Sequence, residues 1–426
     1  MFSQDPIECD LTVIGAGMAG MATTLFAANR GLSVCQVGST SEIGFASGLF
    51  DLLGVHPMKD GKRWDDPWKG IKELVRDIPE HPYAKLTEID IKNSFDELLG
   101  FLQAAGLPYL RHPDRNVRVI THMGTTKRTY CVPQTMRNCI DAFEQQTPGL
   151  IIDFAGLKGF SAGLIVAALS KEWPGLRNAL VTFPGKEQMV EILPEHMANA
   201  LVISRNCERL ADAIRPHVQE AKVVGIPAVL GLYQSSKVTS DLAELIGVPV
   251  FEISTMPPSI PGLRLKEAFE RGLREKRAGY FSHRSVLEVK EKGSGGFEIA
   301  IGTSGKEQTI ISKGIVLATG RFIGGGLSAD RKHIRETIFN LPLYQPKARD
   351  QWHRRDFFDP RGHPLNQAGI EIDDRFRPLA HNGQPVFDTL FAAGSILAHQ
   401  DWKRMKCGTG LAISTSFGAV KAFIDS

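Results

Sequence analysis

Hydrophobic positions along the chain change period several times, and each change predicts an element. From Cys9 to Ile14 apolar residues alternate and then run together, as in a parallel strand buried on both faces. From Met18 to Arg30 they recur at helical spacing behind a start of small residues, and Leu32–Val37 predicts a second strand that completes a βαβ opening. Between about Pro57 and Tyr130 Pro, Trp and charged residues break the pattern, leaving one helix at Ser94–Ala105; this stretch reads as an insertion that covers the sheet. Leu150–Phe154 predicts a strand, "AGLKGFSAGLIVAALSK" a glycine turn and a helix, and Ala221–Leu232 a further buried strand. "TMPPSIPGLRL", Thr255–Leu265, predicts a stiff linker, because each proline fixes its own φ and drives the preceding residue out of the helical region. Beyond it Leu265, Phe269 and Leu273 recur at i, i+4 and i+8 on a charged helix, and Ser282–Gly320 is a run of strands with glycine turns that returns as "IVLATG". The pattern predicts an α/β protein: a dinucleotide-binding, Rossmann-like domain, discontinuous as residues 1–56 and 256–426, with an inserted α/β or α+β domain at 57–255.

Composition changes the picture mainly by exclusion. At 426 residues the chain is too long for one ordinary core, which supports two domains. Its 50 basic and 47 acidic residues give +3, too near neutral for a nucleic-acid footprint over the whole surface. Cys9, Cys35, Cys131, Cys139, Cys207 and Cys407 show no C-x-x-C pair and no compact metal or cluster spacing, so a reduced cytoplasmic setting, no metal and no iron–sulfur cluster of its own are expected. Met1–Asp10 is acidic and polar where a signal peptide would be basic and then apolar. Nothing approaches the roughly 18 uninterrupted apolar residues of a membrane span.

Candidate chemistry starts at Gly15, Gly17 and Gly20, which form G-x-G-x-x-G between the first strand and its helix. With Met18 and Ala19 they would offer backbone N–H groups and the positive end of a helix dipole to a pyrophosphate. The second strand should end in Asp or Glu about 20 residues on, to hold the adenosine ribose. Gly38, Ser39 and Thr40 stand there instead, which disfavours NAD and leaves either FAD held by other contacts or a flavin without its adenosine half. Two later stretches resemble flavoproteins with two dinucleotide-type domains: Gly314–Leu327, with Thr319 and Gly320, and Thr389–Phe423, with Gly394 and Ser395 before a Gly408-Thr409-Gly410 helix start. In such proteins the last strand brings a polar residue to the ribityl chain and the last helix points its N-terminus at the pyrimidine edge. Ser395 occupies a position where they usually have Asp. Ser47 and Gly48, in "IGFASGLFDLLGVHP", are candidates for contact with the isoalloxazine ring. Arg264, Arg321, His399, Lys403, Arg404 and Lys406 lie beside these motifs. Arg264, Lys403 and Arg404 are the phosphate or substrate candidates, and His399 and Arg321 are the catalytic ones. His56 and His81 have no spacing that suggests a metal, and "WHRRDFFDPRGHP" reads as a charged surface or interface loop.

"SGLFDLLG", "TMPPSIPGLRL", "GRFIGGGL" and "LFAAGSILAHQDW…GTGLAIST" resemble the B-subunit family of anaerobic glycerol-3-phosphate dehydrogenase, in motif order and length over nearly the whole chain. The resemblance implies an FMN-bearing subunit, with FAD as the alternative. Its implied partners are two. One is a larger FAD-containing catalytic subunit, which oxidises sn-glycerol 3-phosphate to dihydroxyacetone phosphate; the other is an iron–sulfur, membrane-anchoring subunit, which passes electrons to membrane quinone. It further implies a cytoplasmic protein, peripheral on the inner face of the membrane, and it supplies no catalytic residue. The residues themselves leave open a self-sufficient flavin oxidoreductase and a scaffold that has lost redox work.

Overall fold

The computed structural model describes residues 5–38, 41–293, 295–303 and 306–426. Ser39 and Thr40, two of the three residues standing in place of the ribose carboxylate, lie outside the described residues, as do Met1–Gln4. The chain divides into two compact units, residues 1–43, 51–100 and 269–426 in the first and 44–50 and 101–268 in the second.

The first unit is built on a seven-stranded sheet. Its strands are β1 (Ile7–Ile14), β2 (Val34–Gly38), β3 (Gly279–Ser282), β4 (Ser285–Glu291), β5 (Phe297–Thr303), β6 (Lys306–Leu317) and β7 (Leu390–Ala392). The parallel set runs β3-β2-β1-β6-β7, with Thr12 opposite Cys35 and Ile315, and Leu317 opposite Ala392. Strand order reverses at β1/β6, the switch point where open α/β sheets bind ligands beyond their carboxyl ends. β4 and β5 add the antiparallel meander, so the run from Ser282 to "IVLATG" forms as expected.

The first helix (Met18–Asn29) buries Ala19 through Ala27 on all sides, because it lies between the sheet and the C-terminal helix (Gly408–Ile424). Phe26 meets Phe417 edge to face at 5.4 Å, and the Ser416 hydroxyl donates to the Ala19 carbonyl at 2.8 Å.

Residues 51–100 cluster with this unit and 44–50 and 256–268 with the second, whereas the expected insertion ran from 57 to 255. The segment 51–100 joins the first unit because it is tied to the C-terminal helix. Gly410 N–H donates to the Asp51 carbonyl at 2.7 Å, the Ser94 and Ser414 hydroxyls are 3.3 Å apart, and Lys421 pairs with Asp90 at 3.0 Å. Its long helix starts at Glu88, six residues before the expected Ser94. Thr87 and Asp90 cap it reciprocally: the Thr87 N–H and hydroxyl donate to the Asp90 carboxylate while Asp90 N–H donates to Thr87 Oγ1 at 3.1 Å.

The second unit carries a four-stranded parallel sheet in the spatial order Val250–Ile253, Val223–Pro227, Gly149–Phe154, Leu176–Val181. Trp173, Phe154, Phe183 and Phe251 fill its core. The strand expected over Ala221–Leu232 is confined to Val223–Pro227, and the expected linker is shorter than Thr255–Leu265. A helix already begins at Ile260: Ser259 caps it by accepting from Gly262 N–H at 3.1 Å, and Pro261 sits in the first turn, where its missing N–H costs nothing. Leu265, Phe269 and Leu273 are buried along this helix, as their spacing predicts.

Candidate functional site

At the carboxyl ends of β1, β6 and β7 the chain makes three turns side by side. Gly15 has φ +124°, and a Cβ there would lie 2.1 Å from the Ala318 carbonyl oxygen, so only glycine lets the first turn pass the end of β6. Gly17 is the N-cap of the first helix and brings no capping side chain, and the first turn holds no acidic residue. The helix N–H groups and dipole are thus open to an anion. Gly15, Gly17 and Met18 are half-buried, whereas Ala19 and Gly20 are buried. Gly20 packs on the turn itself, its added Cβ falling 2.0 Å from Gly15 O.

Thr319 and Gly320 follow β6. Thr319 is buried and its hydroxyl has no partner among the described residues, which costs about 1–3 kcal/mol unless something bonds it. Gly394 and Ser395 follow β7. Gly394 has φ +80°, donates its N–H to Thr415 Oγ1 at 2.8 Å and lies where a Cβ would come within 2.6 Å of the Ala19 Cβ. The fingerprint, the β6 turn, the β7 turn and the C-terminal helix therefore converge in one unit. Cys407 caps that helix without a side-chain bond. Gly408 and Thr409 are half-buried, and Gly410, buried, has its N–H taken by Asp51. Glycines at close approach, an uncapped helix start and an orphaned hydroxyl fit a flavin nucleotide.

The remaining candidates separate. Ser47 and Gly48 belong to the second unit, where the Ser47 carbonyl accepts from Ser254 Oγ at 2.8 Å and Gly48 packs on Pro261. Arg264 does not present itself to a phosphate. It is buried in the second unit, its Nη1 and Nη2 on the Glu252 carboxylate at 2.6 and 2.8 Å, its Nε on Gly231 O at 2.8 Å and Nη2 also on Leu230 O at 3.2 Å. This arginine is a structural pin, because a buried guanidinium needs a carboxylate more than its unit needs a ligand site.

Arg321 fans onto the carbonyls of Leu365, Asn366 and Ala368 and clamps that loop against the end of β6. Burial pushes its guanidinium down to about 10, with Asp401 opposing the shift. His399, in left-handed conformation at φ +59°, places Nε2 2.9 Å from Glu371 Oε1 and its ring 4.1 Å from that of Tyr344. Lys403 is exposed over the Trp402 ring, and Arg404, half-buried, lies 3.8 Å from Asp401.

Sequence reasoning missed Gln36. It is a fully buried amide in the middle of β2, where its Nε2 donates to Gly15 O at 3.0 Å and props the fingerprint turn. The available signal was a lone polar residue inside "VCQVG". His56 and His81, whose spacing suggested no metal, are both buried, and His56 Nε2 lies 3.1 Å from Asp77 Oδ2.

The fold and this convergence define a flavoprotein, and the family model described as FAD binding domain matches residues 10–411. That description supports a flavin, FAD in particular, and gives no support to FMN, which the absent ribose carboxylate suggested. A protein of Halobacterium salinarum named as the probable B subunit of anaerobic glycerol-3-phosphate dehydrogenase is 30% identical over 99% of both chains. The B subunit of anaerobic glycerol-3-phosphate dehydrogenase from Vibrio vulnificus is 28% identical over 97% of this chain and 96% of that one. A crystal structure of 3-ketosteroid delta1-dehydrogenase from Sterolibacterium denitrificans is similar at TM-score 0.44, with 11% identity over 98% of this chain and 100% of that one. The chain belongs to the B-subunit family of anaerobic glycerol-3-phosphate dehydrogenase. Among the described residues no helix is long and apolar enough to cross a membrane.

Proposed function

We propose that this chain is the flavin-binding subunit of an anaerobic glycerol-3-phosphate dehydrogenase, holding FAD in its first unit and taking part in oxidation of sn-glycerol 3-phosphate to dihydroxyacetone phosphate. Electrons would pass through partner subunits, a larger catalytic one and an iron–sulfur one, towards membrane quinone. The observation that carries the reading is the convergence of Gly15, Gly17 and Gly20 with Gly394 and the C-terminal helix around one cradle. A bound flavin supplies acceptance of a two-electron hydride and return of the electrons singly.

The chain's own residues have three tasks. Gly15, Gly17, Met18, Ala19 and Gly20 bind phosphate through the first helix N-terminus. Thr319, Gly320, Gly394 and Ser395 would hold the cofactor beyond its phosphates, and the Thr319 hydroxyl, which has no partner among the described residues, would find one there. Gly408 and Thr409, at the uncapped start of the C-terminal helix, would turn its positive end towards the bound group, and the clamped Arg321 charge would favour negative charge nearby.

The test is to purify the chain, reconstitute it with FAD, release the chromophore with acid and separate it by chromatography. FAD should be recovered, and a folded Gly17→Glu variant should bind it roughly 100-fold more weakly, since a carboxylate then meets the phosphate at the helix start. Recovery of FMN alone, or undiminished binding by the variant, contradicts the site. Reduction of the isolated chain by glycerol 3-phosphate would instead mark a self-sufficient oxidoreductase.

A further inference from the structure

The loop from Gln351 to Pro364 belongs to the first unit and supplies no residue to the cofactor cradle. At its tip Phe357 and Phe358 are 75% and 81% exposed, and their rings meet edge to face at 5.0 Å. A single exposed ring is ordinary, whereas two in contact form an apolar knob that the chain's own core leaves in water.

Hydrogen bonds hold the knob out. His363 Nδ1 accepts from Arg354 N–H at 3.1 Å, which puts the ring proton on Nε2, and that N–H donates to Phe357 O at 3.1 Å. One imidazole thereby ties both flanks of the loop. Asp356 Oδ1 accepts from Phe358 N–H at 3.0 Å, and Leu365 N–H donates to the carbonyl of the buried Trp352 at 3.1 Å. Gly362, at φ +74°, packs where a Cβ would lie 2.9 Å from Asp401 Oδ2. A loop organised in this way before binding loses little conformational freedom when a partner arrives.

Beside the knob lies an open groove of about 660 Å3 whose walls include His353, Arg354, Arg355, Asp356, Asp359 and Arg361. Asp359 is already engaged: Arg361 grips it with Nη2 on Oδ2 at 2.7 Å and Nε on Oδ1 at 2.9 Å, and Arg354 Nε lies 3.9 Å from Oδ1. Arg355 is exposed and has no ion pair among the described residues. Between residues 349 and 363 stand four arginines and three aspartates, a net +1. An anionic lipid surface, of one sign throughout, would attract the arginines and repel Asp356 beside the rings, and docking to it by charge takes a cluster of about four to eight basic residues. A protein surface can match both signs, and Phe and Arg are enriched at the centres of protein interfaces.

We infer that this loop docks a partner protein: Phe357 and Phe358 enter an apolar recess, and Arg355 meets a carboxylate at its rim. For the identity of that partner the inference rests on the function proposed above, whose complex supplies two candidate subunits.

The experiment measures binding of the full chain to each of those subunits, purified, by surface plasmon resonance, with melting temperature as the control for folding. Phe357→Ser combined with Phe358→Ser should keep the parent melting temperature, since both rings are exposed, and weaken binding to one subunit about 100-fold or more. Arg355→Glu should weaken it about tenfold, mainly through slower association at low salt. Parent affinity for both subunits in these variants overturns the inference, and if the double variant does not fold, Arg355→Glu decides alone. Loop-dependent binding to phosphatidylserine vesicles, with subunit binding untouched, overturns it in favour of a membrane. A parent dimer that the double variant dissolves, again with subunit binding untouched, overturns it in favour of a second copy of the chain. Neither readout needs flavin. A parent chain that binds neither subunit overturns the proposed complex and this docking with it, whereas a chain that binds a subunit through this loop but holds no flavin overturns the cofactor reading alone.

Discussion

Arg264 shows how a residue's surroundings decide its task. Its charge, read from sequence beside "PPSIPG", suits a phosphate; in the structure its side chain is 2% exposed and its partner Glu252 0%, so the two charges neutralise each other inside the second unit. Glu252→Ala leaves the guanidinium buried and alone, and should cost about 3–5 kcal/mol in denaturant unfolding. Leu at both positions should recover a large part of that loss. Asp10 gives a residue-scale prediction of opposite character. The Lys313 ammonium first, and the Ser33 hydroxyl and N–H after it, hold its carboxyl down to about 2. A depressed carboxyl contributes stability above its unfolded pKa near 4 and loses it as pH falls through the folded value. Asp10→Asn should therefore lower stability by about 1 kcal/mol at pH 7, after allowance for the exposed lysine, and make no difference below about pH 2. Unfolding curves of both proteins across that range check the sign. Neither environment was legible in the sequence: Lys313 stands across most of the chain from Asp10, and Glu252, only 12 residues before Arg264, meets it because a strand and the following helix fold side by side.

At the scale of elements, what could be read was what depends on near neighbours. β1, the first helix and β2 follow from period and glycine spacing alone, as do the β4–β6 meander and the start of the C-terminal helix. The early start of the helix at Glu88 was legible too, since Thr87 and Asp90 form a capping pair, but the helix was expected only from Ser94, which in fact lies inside it with its hydroxyl donating back to Ile91 O. Pro261 misled in a different way: a proline in a first turn and a proline in a linker look alike until the Ser259 cap is noticed. The contact between the β7 turn and the first helix was not legible at all, since it joins Gly394 to Ala19 across most of the chain. It gives a sharp expectation. Gly394→Val adds a branched side chain at positive φ, 2.6 Å from the Ala19 Cβ, and should destabilise the first unit by more than about 2 kcal/mol and reduce flavin retention with it. Thermal unfolding and flavin content of the purified variant test both parts. Ala at position 19 replaced by Gly in the same variant should relieve part of the clash.

For the whole molecule, the first unit is a single core drawn from three stretches of chain, 1–43, 51–100 and 269–426. A ligand that bonds the turns after β1, β6 and β7 at once therefore acts as a tie between stretches that the backbone leaves separate. Removing FAD should lower the melting temperature by several degrees, since ligand at about 100 times its Kd contributes about 2.7 kcal/mol. The same calorimetric comparison on Gly17→Glu should show little response to added FAD. All six cysteines are buried thiols, so this tie rather than any covalent link between the stretches is open to experimental control.

The pairing of β1 with β6 carries a consequence for biosynthesis. The strand bearing the glycine fingerprint finds β2 almost as soon as it emerges, but its other edge, from Ile7 to Ile14, is completed only by Ile310–Leu317. Translation at about 5–20 residues per second leaves that edge bare for on the order of tens of seconds, a template for mispairing in the meantime. The phosphate cradle cannot close before the later segment arrives, so the cofactor enters after most of the polypeptide has been made, and a cell that slows synthesis between the two segments would lengthen the nascent protein's dependence on holding chaperones.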